Sequence, residues 1–115
     1  MIEKIAETLA TPEAWTKGAY ARTALGRTIG FECVNAKCFC MLGATYRATP
    51  ADAPADSDDL EKRSLSFMAA AIRELFPARA GGGHIPHFND HPDTTHEDVL
   101  LVLCRARELE LADAE

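Results

Sequence analysis

The chain has 115 residues, of which 47% are hydrophobic and 26% are charged, as in a single globular domain with its own core. Its formal net charge of −6 argues against duplex nucleic acid and anionic membranes as partners, because both repel an acidic protein. No stretch resembles a signal peptide or approaches the roughly 20 apolar residues of a membrane span. We therefore expect one globular domain over residues 1–115, located in the cytoplasm, where the four cysteines are reduced thiols.

The N-terminal third predicts two short helices followed by a hairpin. Residues 2–10 carry apolar side chains at positions i, i+3, i+4 and i+7, which is typical of a helix with one buried face. A threonine followed by a proline then predicts a helical turn over residues 12–17, with Trp15 in the core. β-branched and aromatic residues around a Leu-Gly pair predict strands at 20–23 and 27–31.

The segment between residues 31 and 46 holds three of the four cysteines. We predict a helix over residues 36–48 that is capped by the side chain of Asn35 and that buries Leu42. Gly43 in mid-helix costs about 1 kcal/mol relative to alanine. Such a cost is offset where another segment approaches too closely for a side chain, so Gly43 predicts a close contact.

The second half of the chain predicts two longer helices. A connector over residues 49–59, rich in proline, alanine and aspartate, is expected to be solvated. Apolar periodicity then predicts a helix over residues 58–76, with Leu60 on its inner face. Residues 81–83 are three glycines and predict a hinge. The expected architecture is mainly α, a compact bundle of about four helices with a small hairpin near residues 20–31.

The last predicted helix spans residues 95–112. Thr94 and Glu97 have the spacing of a capping box, in which each side chain accepts a hydrogen bond from the backbone of the other residue. Cys104 lies within an apolar stretch of this helix, so we expect an inert core thiol.

Three blocks of the sequence carry a family resemblance. They are Trp15-Thr16-Lys17-Gly18-Ala19-Tyr20-Ala21-Arg22 with Gly26-Arg27, Phe39-Cys40-Met41-Leu42-Gly43-Ala44, and Phe88-Asn89-Asp90 followed by Thr95, Val99 and Ala106. Together they resemble an uncharacterised family of small bacterial and phage proteins, known only as a domain of unknown function, in which Phe39 or Phe88 is often replaced by tryptophan. The resemblance implies no activity, and it implies that these blocks belong to one fold.

An interaction or regulatory module is the favoured function. Loops over residues 18–30 and 81–95 are expected to recognise a protein partner or to mediate self-association, and small size, acidic charge and phage-type relatives suit this function. The candidate binding residues are Trp15, Tyr20, Arg22, Asn89 and Asp90. Asn89 and Asp90 also have a structural interpretation, because both residue types are frequent turn formers.

A metal site is the first alternative. Zinc or copper would be held by Cys33, Cys38 and Cys40 together with His84, His87 or His91, although the cysteine spacing lacks the paired C-x2-C of well-specified zinc modules. Cys38 and Cys40 share a face only in extended chain, so this site requires the helix to begin near Cys40. No cofactor is favoured, and zinc is the alternative.

Thiol chemistry is the second alternative. A thiol near a helix N-terminus is favoured as thiolate, so Cys38 or Cys40 could act as the nucleophile of a hydrolase or transferase. His87 would be the base, oriented by Asn89 or Asp90. An orienting residue so close to its base along the chain seldom lies across the imidazole from it, and enzymatic activity is therefore not favoured.

Overall fold

The structure is a computed structural model that describes residues 1–49 and 57–113. The described helices are α1 (Ile2–Thr8), α2 (Met41–Ala48), α3 (Ser57–Leu75), α4 (Ile85–Asn89) and α5 (His96–Asp113), with 3-10 turns at Pro12–Ala14, Pro77–Arg79 and Gly81–Gly83. A two-stranded antiparallel sheet joins β1 (Ala21–Arg22) to β2 (Cys38–Phe39). The predicted fold class, mainly helical with a small β element, is confirmed.

Helices α1, α3 and α5 form the main layer, with α5 packed against both of the others. Helices α3 and α5 run antiparallel, since ion pairs join Arg63 to Asp113 at one end and Glu74 to Arg105 at the other. The core between the helices is made of fully buried aliphatic side chains, each of which contributes about 1.5–3 kcal/mol. They are Ile2, Ile5, Leu9, Met68, Ile72, Val99, Val102 and Leu103.

The prediction for the start of α2 is wrong by five residues. The helix begins at Met41 rather than at 36, and Cys40 is its N-cap residue, whereas Asn35 is exposed and caps nothing. The preceding residues are extended because they pair with β1, where the Cys40 N–H donates to the Tyr20 carbonyl at 3.2 Å. The late start also rotates the buried face, so that Met41 is fully buried and Leu42 only half-buried.

The partner of β1 also differs from the hairpin prediction. Ala21 pairs with Phe39 and Arg22 with Cys38. The chain after β1 does turn back, but Arg22 forms only an isolated bridge with Thr28, and the Ile29 N–H donates to the Ala21 carbonyl at 3.1 Å. The partner strand of β1 is therefore β2, at residues 38–39, rather than residues 27–31.

Gly43 lies at the predicted close contact. A Cβ atom at this position would be 2.8 Å from the carbonyl carbon of Tyr20 and closer still to the carbonyl oxygen. Because Gly43 has no side chain, the chain leading into β1 can lie directly on α2.

Several details of the C-terminal half differ from the sequence predictions. The capping box is formed one residue later than predicted, by Thr95 and Asp98, whose side chains each accept from the other's backbone N–H at 3.2 Å. Thr94 is instead buried and accepts from Arg79 at 3.0 Å. Cys104 is exposed, contrary to the core prediction, and Leu60 is 51% exposed rather than on the inner face of α3.

Two further predictions concern the connector and the hinge. Residues 50–56 of the predicted connector lie outside the described part of the chain. Residues Gly81–Gly83, the predicted hinge, form a 3-10 turn with positive φ angles at Gly81 and Gly82 that favour glycine. Helix α4, which was not predicted, follows directly after this turn and carries Asn89.

Candidate functional site

The buried side chain of Asn89 ties three separate segments together. Its Oδ1 accepts from the Trp15 indole N–H at 2.8 Å and from the Met41 backbone N–H at 2.9 Å. Its Nδ2 donates to the Thr16 carbonyl at 3.0 Å and to Asp90 Oδ1 at 2.9 Å. All four hydrogen-bonding positions of the amide are therefore used, and they fix α4 against residues 15–16 and against the N-terminus of α2.

Asp90 extends this network to the surface. Its Oδ1 accepts from the Gly18 N–H at 2.9 Å as well as from Asn89. The carboxylate borders an open cleft of about 330 Å3 between the loop at 18–20 and α4, which we call the Asp90 cleft. It is lined by Gly18, Ala19, Tyr20, Thr28, Cys40, Pro86 and Asp90.

Cys40 lies in this cleft as a buried thiol. Burial raises its pKa, and the opposing hydrogen bonds from the backbone N–H groups of Gly43 and Leu42 do not offset that effect. The Gly43 N–H donates to Cys40 Sγ at 3.2 Å. Within the described residues no hydrogen bond joins Cys40 to a histidine, and His87 lines a different cleft together with His91. The raised pKa favours the protonated thiol, and among the described residues Cys40 has no histidine as a hydrogen-bond partner.

The other metal-candidate residues are dispersed. Cys33 and Cys38 are half-buried, His84 is exposed, and His91 Nδ1 accepts from the Asp93 N–H at 3.1 Å. Among residues 1–49 and 57–113 the structure contains no group of three or more histidine, cysteine or acidic side chains placed to hold a metal ion.

A second cleft, of about 500 Å3, lies beside Arg22 and Lys37, and we call it the basic cleft. The hydroxyl-bearing residues Thr11, Thr16 and Thr23 also line it, as does the acidic residue Glu13. The Arg22 guanidinium donates to the carbonyls of Lys17 at 3.3 Å and Gly26 at 3.1 Å, so it braces the two loops that meet at the cleft.

Comparison with protein families places the whole of this framework in one family. A family model described as a family of unknown function, DUF6197, matches residues 1–109. The chain belongs to DUF6197. No curated protein and no solved structure gives a significant match. Within the described part of this DUF6197 chain, no helix is both long enough and apolar enough to cross a membrane.

Charge is strongly segregated along the DUF6197 chain. Between residues 14 and 48 there are five basic residues and one acidic residue, which gives this segment a net charge of +4 within a chain of net −6. Four of these cations lie in β1 or on the loops around β1 and β2, and we call them the basic face: Lys17, Arg22, Arg27 and Lys37. None of the ion pairs formed among the described residues involves any of the four.

The sequence predictions singled out only Arg22 from this set. The other three cations were missed because each is unremarkable by itself, and a running count of charge along the chain would have revealed them. Two large apolar side chains lie on the same loops, since Leu25 is 87% exposed and Val34 is 84% exposed. The loops between α1 and α2 therefore present both positive charge and apolar surface to solvent.

Proposed function

We propose that this chain is a protein-interaction module whose basic face binds an acidic segment of a partner protein. The observation that carries the proposal is that the four cations of the basic face have no carboxylate partner in the described part of the chain. The ion pairs of the described residues are instead made by cations of α3, α5, the 3-10 turn at Pro77–Arg79 and the N-terminus. Positive charge left uncompensated on one side of an acidic protein directs a negatively charged partner to that side.

The side chains around the basic cleft suit carboxylates. Arg22 and Lys37 supply positive charge, and the hydroxyls of Thr11 and Thr16 are further donors at the same opening. A carboxylate accepts up to four hydrogen bonds, so such a mixed set of donors matches its requirements. Glu13, which also lines the cleft, disfavours a uniformly charged polyanion.

Charge alone would not hold the complex, because exposed ion pairs contribute only about 0.2–1 kcal/mol each. Burial of Leu25 and Val34 against the partner would contribute about 1.5–3 kcal/mol for each side chain. The expected ligand is therefore a segment in which carboxylates alternate with apolar side chains. Duplex nucleic acid offers no such apolar surface, and its dense charge is repelled by the acidic remainder of the protein.

The loops that carry this surface are held in place by side-chain hydrogen bonds. Besides the bracing by Arg22, the Arg47 guanidinium donates to the carbonyls of Phe31 at 2.9 Å and Cys33 at 3.3 Å. The Asn89 network fixes residues 15–16 from the other side. Ordering of loops on binding costs affinity, so a surface fixed before binding retains more of its interaction energy.

The proposal is tested by selecting ligands from a display library of peptides. The protein is used as bait, and each enriched peptide is then measured against two variants by fluorescence anisotropy. Arg27→Glu with Lys37→Glu reverses two exposed cations of the basic face. Lys62→Glu with Arg73→Glu makes the same change of charge at exposed positions of α3 and is the matched control.

We expect peptides enriched in aspartate and glutamate next to leucine or phenylalanine. They should bind the wild type and the α3 control alike and should lose binding to the variant of the basic face. Selected peptides without acidic residues, or equal binding by both variants, would contradict the proposal. Tighter binding of single-stranded polynucleotide than of any peptide would replace it with a nucleic-acid function.

A further inference from the structure

The Asp90 cleft has features of a second binding site, independent of the basic face. Its volume of about 330 Å3 is at the lower end of the range of small-molecule pockets, so it suits a ligand the size of an amino-acid side chain. Much of its lining is apolar, from Ala19, Tyr20 and Pro86. Asp90 is the charged residue in this lining.

The Asp90 carboxylate is held in position but is not neutralised. Two N–H donors, from Gly18 and Asn89, both bond to Oδ1 at 2.9 Å. Within residues 1–49 and 57–113, no hydrogen bond engages the other oxygen, Oδ2, and no ion pair involves Asp90. A fixed carboxylate with one free oxygen at an apolar cleft is a receptor for a hydrogen-bonding cation.

Tyr20 adds a second element of recognition. Its side chain is 51% exposed, although its ring is packed at 5.9 Å from the ring of Tyr46. An aromatic ring attracts a cation placed over its face. The negative charge of Asp90 repels anions from the same cleft.

We propose that the Asp90 cleft binds an organic cation, namely an ammonium or guanidinium group carried on a short apolar stem. The cationic head hydrogen-bonds to Asp90 Oδ2, and the stem lies along Tyr20 and Pro86. This site goes beyond the proposed binding of an acidic segment. It uses none of the four cations of the basic face, so the two proposals can fail separately.

The test is a titration of 15N-labelled protein with n-butylammonium, with n-butanol as the uncharged ligand of similar shape. We expect butylammonium to shift the amide signals of Gly18 and Ala19 and butanol to leave them in place. Asp90→Asn retains an oxygen that accepts from Gly18 and Asn89 while it removes the charge, and it should weaken binding by about tenfold or more, the loss expected for a charge-assisted hydrogen bond.

The matched control is Asp93→Asn, which removes an exposed carboxylate outside the cleft and should leave butylammonium binding unchanged. A second variant, Tyr20→Leu, should weaken binding without abolishing it, and thermal melting of each variant verifies that it is folded. Equal binding by the wild type and Asp90→Asn, or signal shifts confined to α3 and α5, would overturn the proposal. Agmatine and a blocked Gly-Lys-Gly peptide then identify the source of the bound cation. Tighter binding of the peptide indicates a cation carried by a protein, and tighter binding of agmatine indicates a free metabolite.

Discussion

Replacement of Asn89 by leucine tests how much of the stability depends on the amide network that supports both clefts. The two side chains share the same branched shape and the same number of non-hydrogen atoms, so the substitution removes hydrogen bonds without opening a cavity. It leaves the indole N–H of Trp15, the backbone N–H of Met41 and the carbonyl of Thr16 without their partner. The network is therefore lost without a void at position 89.

The expected loss follows from the burial of these groups. An unsatisfied buried polar group costs about 1–3 kcal/mol. Met41 is fully buried and should incur this cost, whereas Trp15 and Thr16 are half-buried and can recover part of it by bonding to water. We expect Asn89→Leu to lower the free energy of unfolding by about 2–5 kcal/mol, a large share of the about 5–15 kcal/mol of a typical domain.

The assay is urea denaturation followed by the fluorescence of Trp15, the only tryptophan in the chain. Asn35→Leu is the control, because Asn35 is exposed and surface substitutions change stability by less than about 0.5 kcal/mol. A loss of less than about 1 kcal/mol for Asn89→Leu would refute the reasoning, since it falls at the bottom of the cost of even one unsatisfied buried group.

Three further predictions concern other parts of the fold. Gly43→Ala should lower the free energy of unfolding by about 1–3 kcal/mol, because the added Cβ overlaps with the Tyr20 carbonyl, although alanine is the better helix former. A raised urea midpoint would contradict the close contact. Burial raises the pKa of Asp98, but its hydrogen bond and ion pair with Arg79 lower it more, so the net pKa lies below its ordinary value. The wild type should be more stable than Asp98→Asn, and this difference in the free energy of unfolding should be full above about pH 4. It should vanish as the pH falls through the folded-state pKa of Asp98. A difference that does not depend on pH would exclude the ion pair as its cause. Iodoacetamide followed by mass spectrometry should label Cys104 first and Cys40 last, and labelling of Cys40 faster than a free thiol would favour the nucleophile hypothesis.

Periodicity predicted α1, α3 and α5 well because each of them buries one face. Helices α1, α3 and α5 begin and end within two residues of the predicted limits. The face of α5 was harder to assign, because residues 99–104 are all apolar and a continuous run does not show which side turns inward. Cys104 was consequently assigned to the core, although it is exposed.

The errors around the candidate sites have a different cause, which is long-range pairing. Residues 36–40 have helical spacing, but Cys38 and Phe39 pair with β1, and tertiary contacts of this kind override local propensity. Asn89 was recognised as a polar residue of interest, yet its partners Trp15 and Thr16 lie more than 70 positions away in the sequence. Local patterns carry no information on such contacts.

The basic face is tested most directly by mapping where an acidic peptide binds. The most enriched peptide from the selection is titrated into 15N-labelled protein, and a version with glutamine and asparagine in place of its acidic residues serves as the control. We predict that the acidic peptide shifts amide signals mainly between residues 15 and 38, including those of Leu25 and Val34, and that the neutral version shifts few of them. Signal shifts centred on α3 and α5, or equal shifts with both peptides, would contradict the assignment of the basic face as the binding surface.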